Sequence, residues 1–99
     1  MSGPPGRSVS LLDERALADA LRVLPGWTRA DRAIAKSWRF RDFREAMFFV
    51  NGVAALADRV GHHPDIDVRY SQVTLTLWTH DAGGVTDKDL ALARSVDGL

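Results

Sequence analysis

The sequence predicts an α+β fold, a four-stranded antiparallel sheet with three helices packed on one face, in the order α-β-β-α-β-β-α. Three observations lead there. Apolar residues recur at helical spacing in three segments and at period two in the segments between. Each pair of strand-like segments is joined by a few polar residues, which suits an antiparallel hairpin and excludes a parallel crossover. Each helix carries an apolar stripe that must be buried, and a sheet face is the surface available to bury it.

The elements follow in order. Gly3, Pro4, Pro5 and Gly6 resist regular structure, so residues 1–9 read as a flexible tail and 10–99 as a single domain. Residues 10–24 read as a helix: Leu12, Ala16, Leu17, Ala20, Leu21 and Leu24 share a face, Ser10 can cap, and Pro25-Gly26 ends it. Residues 27–40 read as a hairpin turning at Ala30-Asp31-Arg32, with Lys36 on an otherwise apolar face of Ile34, Trp38 and Phe40. Residues 42–60 form the strongest helix. Asp42 and Glu45 make a capping-box pattern, and Gly61 supplies the left-handed stop. Phe43, Met47, Val50, Ala54 and Ala57 line one face, Phe49, Val53, Leu56 and Val60 line another beside it, and Phe48 lies outside both, so its apolar residues exceed one stripe. The surplus predicts that a second copy of the chain covers the outer side. Residues 66–79 read as a second hairpin turning at Ser71-Gln72, with Val73, Leu75 and Leu77 alternating against Thr74, Thr76 and Trp78. A polar loop, 81–84, leads to Thr86 and Asp89, a capping-box start for the last helix, which runs to about Val96.

Composition narrows the function. The 99 residues suit one domain that buries about two-thirds of its unfolded surface. There is no cysteine, which excludes a disulfide scaffold, a Cys-based metal centre and a Cys nucleophile. Thirteen basic and thirteen acidic residues cancel, so no nucleic-acid partner is expected. No secretory or membrane-spanning stretch is visible, and the cytoplasm is the default expectation. G-x-G-x-x-G, G-x-x-x-x-G-K-[ST] and G-x-S-x-G are all absent.

The three histidines are the main clue. His62 and His63 follow the helix-ending Gly61 and precede the rigid Pro64, and His80 follows the clearest strand. All lie at element ends, where side chains converge on clefts. They can be read as inert loop residues, as a His₃ metal site, or as acid–base catalysts working near neutrality. Their spacing matches no helical metal motif. Asp58, one turn before His62, is placed to bond its ring and set the tautomer. Asp89 is a cap first and a site residue second. Trp27 and Trp78 could wall a flat ligand, and Trp78 points away from the core side of its strand.

These residues together resemble the pterin-4a-carbinolamine dehydratases. The resemblance rests on Asp58, then His62-His63-Pro64, Tyr70, Thr79-His80 and Asp89, with the family's spacings. Pro25-Gly26-Trp27, Phe40-Arg41-Asp42-Phe43 and the run from Gly84 to Asp89 are similar to further family motifs, so the likeness spans 12–96. It implies the same α+β fold and assembly as homodimers or homotetramers. It implies dehydration of 4a-hydroxytetrahydropterin to quinonoid dihydropterin, which recycles the cofactor of aromatic amino-acid hydroxylases, with no metal or cofactor taking part. Carried over, His62, His63 and His80 are the catalytic residues, and Asp58 and Asp89 support them. Trp27, Pro64 and Thr79 are expected around the substrate. Gly61 and Ile66 depart from the common family residues at their positions. A second class stays open, a pterin- or molybdopterin-pathway binding protein or a protein-interaction module without dehydratase activity.

Overall fold

A computed structural model describes residues 10–99 of the chain. The tail expected over 1–9 lies outside the described residues. Four strands, β1 (Thr28–Ala30), β2 (Ala33–Arg39), β3 (Asp65–Arg69) and β4 (Gln72–Leu77), form one antiparallel sheet in the order β1-β2-β4-β3. Three helices, α1 (Glu14–Arg22), α2 (Phe43–Val60) and α3 (Asp87–Asp97), complete the α+β fold. The two hairpins meet through their second strands, with Ile34 opposite Leu77, Lys36 opposite Leu75 and Trp38 opposite Val73. Ile34, Val73, Leu75 and Leu77 are fully buried and pack with Val53 of α2 and Val96 of α3.

Helix α1 starts later than the sequence predicts. Asp13, not Ser10, is its N-cap and accepts from the Ala16 N–H at 2.8 Å. The Leu12 N–H is spent on the Val85 carbonyl at 3.0 Å, which ties the chain before the helix to the loop before α3. In α2 the Asp42 carboxylate accepts from the Glu45 N–H at 2.9 Å, and Glu45 accepts in turn from the Arg41 N–H. The Glu45 N–H holds the Asp42 carboxyl below its ordinary value of 3.8. The support this gives the helix is present above that value and is lost as pH falls through the lowered one. The β3–β4 turn lies one residue earlier than expected. Tyr70 adopts a left-handed φ of 52°, and Gln72 joins β4. Strand β4 also ends sooner, at Leu77. Thr79 bridges to Gly84, and His80–Ala82 forms a tight helical turn between them.

Lys36 on the apolar face is explained by its partners. Its Nζ donates to the Pro25 carbonyl and to Asp97 Oδ1, both at 2.9 Å, and lies 5.2 Å from the centre of the Trp38 ring. The other oxygen of Asp97 accepts from Trp27 Nε1 at 3.0 Å. One carboxylate therefore satisfies a buried indole and a half-buried ammonium. Asp97→Ala leaves that indole N–H unpaired and should cost about 1–3 kcal/mol. At about 4–8 °C per kcal/mol for a domain of this size, calorimetry should record a lower Tm, whereas replacing an exposed acid such as Asp19 should leave it unchanged.

Candidate active site

The C-terminal end of α2 sets the first part of the site. Gly61 has a φ of 70°, and its N–H and that of His62 both return to the Ala57 carbonyl. The helix stops there and the chain turns sharply, so His62 and His63 leave in different directions. A side chain at Gly61 would meet nothing within 4 Å, so only the left-handed backbone favours glycine. The end of β4 and the start of α3 supply the rest. His62, His63 and His80 all line one cavity of about 390 Å³, with Trp78, Thr79 and Lys88.

Asp89 organises this cavity from beneath. It has no exposed surface. Its Oδ2 accepts from Thr79 Oγ1 at 2.8 Å and from the Thr86 N–H at 2.9 Å, and its Oδ1 lies 2.6 Å from His62 Nε2. Thr79 spends its single proton on Asp89, so Thr86 Oγ1 donates to Thr79 Oγ1 across 2.7 Å and accepts from the Lys88 N–H at 3.2 Å. The cap of α3 and the support of His62 are thus one network. A carboxylate only accepts, so Nε2 of His62 carries a proton and Nδ1 is the nitrogen left for chemistry.

The other two histidines are held differently. His63 Nε2 lies 2.9 Å from Asp58 Oδ1, both side chains being well exposed. The imidazole of His80 lies against Trp78, with ring centres 4.0 Å apart and planes tilted by 33°. Asp58 therefore pairs with His63, not with His62 as the spacing suggested, because the turn at Gly61 swings His62 towards α3. Trp27 is not at the cavity. It is 3% exposed, bonded to Asp97 and set edge-on to Trp38 at 5.7 Å. Pro64 and Ile66 do not line the cavity either, whereas Gly61 does. Thr79 lines it, but its hydroxyl faces Asp89. Lys88 and Asp81 also line the cavity. No residue-type signal singled them out, although Lys88 sits inside the motif that ends at Asp89. Among the described residues no three His, Asp or Glu side chains come together as a metal cluster.

Residues 10–99 match the family model described as pterin 4 alpha carbinolamine dehydratase. The chain belongs to the pterin-4a-carbinolamine dehydratase family. A relative from Thermomicrobium roseum, named "Putative pterin-4-alpha-carbinolamine dehydratase", is 51% identical over 88 residues, covering 89% of this chain and 95% of the relative. A crystal structure described as a transcriptional coactivator/pterin dehydratase from Brucella melitensis superposes with a TM-score of 0.84 at 38% identity, covering 88% of this chain and 95% of that one. A pterin dehydratase-like protein described as a RuBisCO assembly factor in the alpha-carboxysome shares the fold at a TM-score of 0.60 and 23% identity, covering 73% of this chain and 83% of that one. Within this dehydratase family fold, the histidine cavity opens where β4, α2 and α3 end or begin.

Two substitutions test the Asp89 network. Asp89→Ala leaves a buried hydroxyl and a buried N–H without an acceptor and should cost roughly 3–5 kcal/mol of stability. Asp89→Asn keeps the shape but offers an N–H₂ donor to His62, so the imidazole proton should move from Nε2 to Nδ1. Nitrogen-15 spectra of the His62 ring check this. An unchanged tautomer would show that Asp89 does not set it.

Proposed function

We propose that this chain dehydrates a 4a-hydroxytetrahydropterin to the quinonoid dihydropterin by histidine acid–base catalysis, in the cytoplasm, and so returns the cofactor of an aromatic amino-acid hydroxylase to its cycle. The observation that carries the reading is the convergence of His62, His63 and His80 on one cavity that Trp78 also lines. The reaction removes the proton on N5, breaks the C4a–O bond and forms the C4a=N5 double bond. The departing hydroxyl takes a proton and leaves as water. Both proton transfers suit imidazole, and a positioned acid or base supplies about 10²–10⁴-fold.

The three environments suggest a division of labour. His62, held at Nε2 by the buried Asp89, offers Nδ1 as the base for N5. His63, backed by Asp58, or His80, lying on Trp78, delivers the proton to the hydroxyl. Trp78 takes the place at the pterin ring that the resemblance gave to Trp27, since Trp27 is buried elsewhere. Thr79 acts through Asp89, and Pro64 acts by restricting the backbone of His63. The exposed Phe48 and the surplus apolar residues of α2 support assembly through that helix, as a homodimer or homotetramer.

The test is a coupled assay in which an aromatic amino-acid hydroxylase generates the 4a-hydroxypterin and its absorbance decay is followed. Wild-type protein should accelerate the decay. His63→Ala and His80→Ala should each lower that acceleration roughly tenfold or more, with unchanged circular dichroism, because both side chains lie outside the core. Wild-type turnover in both variants refutes the assignment. Decay at the spontaneous rate with folded wild-type protein moves the binding-module reading ahead, and the assembly-factor relative shows that this fold serves such a role in another protein.

A further inference from the structure

Helix α2 carries a ridge that its own domain leaves uncovered. At 3.6 residues per turn, Arg44, Phe48, Asn51, Ala55 and Asp58 fall on one line, opposite the buried Val53. All five are exposed, Phe48 at 82%. The ridge has opposite charges at its ends. Arg44 makes no ion pair among the described residues. Asp58 has His63 as its one ion-pair partner there, and its side chain is 80% exposed.

The pattern is self-complementary about Asn51. Arg44 stands seven residues before Asn51 and Asp58 seven after it. Phe48 stands three before, and the small Ala54 and Ala55 stand three and four after. Two such helices laid antiparallel about a two-fold axis at Asn51 place each Arg44 on the other copy's Asp58. They also place each Phe48 on the other copy's alanines. A parallel pair would set arginine on arginine and aspartate on aspartate. Such same-patch contacts are how two-fold dimers form.

We propose that α2 pairs antiparallel with a second copy of this chain about Asn51, and that Arg44 of that copy fixes the Asp58 carboxylate behind His63. The proposal rests on the reading above that assembly runs through α2, and adds its register and its consequence for the site. Asp58 alone is a freely exposed acid, a poor anchor for a histidine. A guanidinium from the second copy gives it a charge-assisted partner on the side away from His63. Arg44 is then a positioning residue supplied in trans, and each cavity is complete only in the pair.

Sedimentation velocity on the full chain tests this, with circular dichroism confirming the fold of each variant. Wild type should assemble, and Phe48→Glu should dissociate it. Arg44→Asp and Asp58→Arg should each weaken self-association about tenfold or more, since each sets two like charges against one another at both ends of the contact. An equimolar mixture of the two variants should recover assembly. In the mixed pair the introduced carboxylate faces the introduced guanidinium at one end, and the native Arg44 faces the native Asp58 at the other. The His63 ring resonances should shift when wild type is diluted to monomer, and that shift should vanish in Arg44→Gln. A wild-type monomer at all concentrations overturns both the assembly reading and this proposal. Dissociation by Phe48→Glu without recovery in the mixture overturns the register and leaves assembly through α2 standing. Recovery in the mixture with His63 resonances unmoved on dilution overturns the role of Arg44 in the site.

Discussion

Asp89 is a carboxylate with no exposed surface, and three separate parts of the chain meet on it. Withdrawing a charge from water costs several kcal/mol unless its lone pairs are filled with good geometry. Here Thr79 brings the end of β4, the Thr86 N–H brings the start of α3, and His62 brings the end of α2. None of the three can move without leaving that buried charge short of a donor. The same carboxylate caps a helix and fixes an imidazole, so the fold and the site are joined at one residue. A cap at a solvent-facing helix end would hold the helix equally well and position nothing.

The three histidines consequently differ in how firmly they are held. His62 is tied to a buried acid within a hydrogen-bonded chain that runs through two threonines to the Lys88 N–H. His63 leans on an exposed acid. His80 rests on the Trp78 ring and, among the described residues, bonds to no carboxylate. A reaction that must take one proton and give another benefits from such inequality, because identical groups have no reason to adopt opposite roles. The loop carrying His80 is short and closed by the Thr79–Gly84 bridge, which keeps its ring near the other two without burying it.

Most of the fold was legible because periodicity reports burial directly. The alternation of Val73, Leu75 and Leu77, the Asp42 and Thr86 caps and the stop at Gly61 all appear where their spacing placed them. What sequence could not supply was long-range partnership. Trp27 looked like a ligand wall until Asp97, seventy residues away, took its N–H. Asp58 looked like the partner of His62 because four residues make one helical turn. The left-handed backbone at Gly61 breaks that count, and Asp58 meets His63 instead. The cap of α1 moved to Asp13 for a similar reason, since the Leu12 N–H is claimed by Val85 from the far end of the chain. Trp78 and Thr79 both line the cavity although they have opposite strand phase, because β4 ends at Leu77 and the chain turns there into the short loop that carries His80.

Occupation of this cavity by pterin is best tested by an NMR titration with an oxidised pterin, which cannot react. The predicted result is a saturable set of shifts at His62, His63, Trp78 and His80, with the Trp27 indole N–H unmoved because Asp97 holds it in the core. Saturable shifts centred on another surface, or none at millimolar pterin, would contradict the assignment of this cavity as the site.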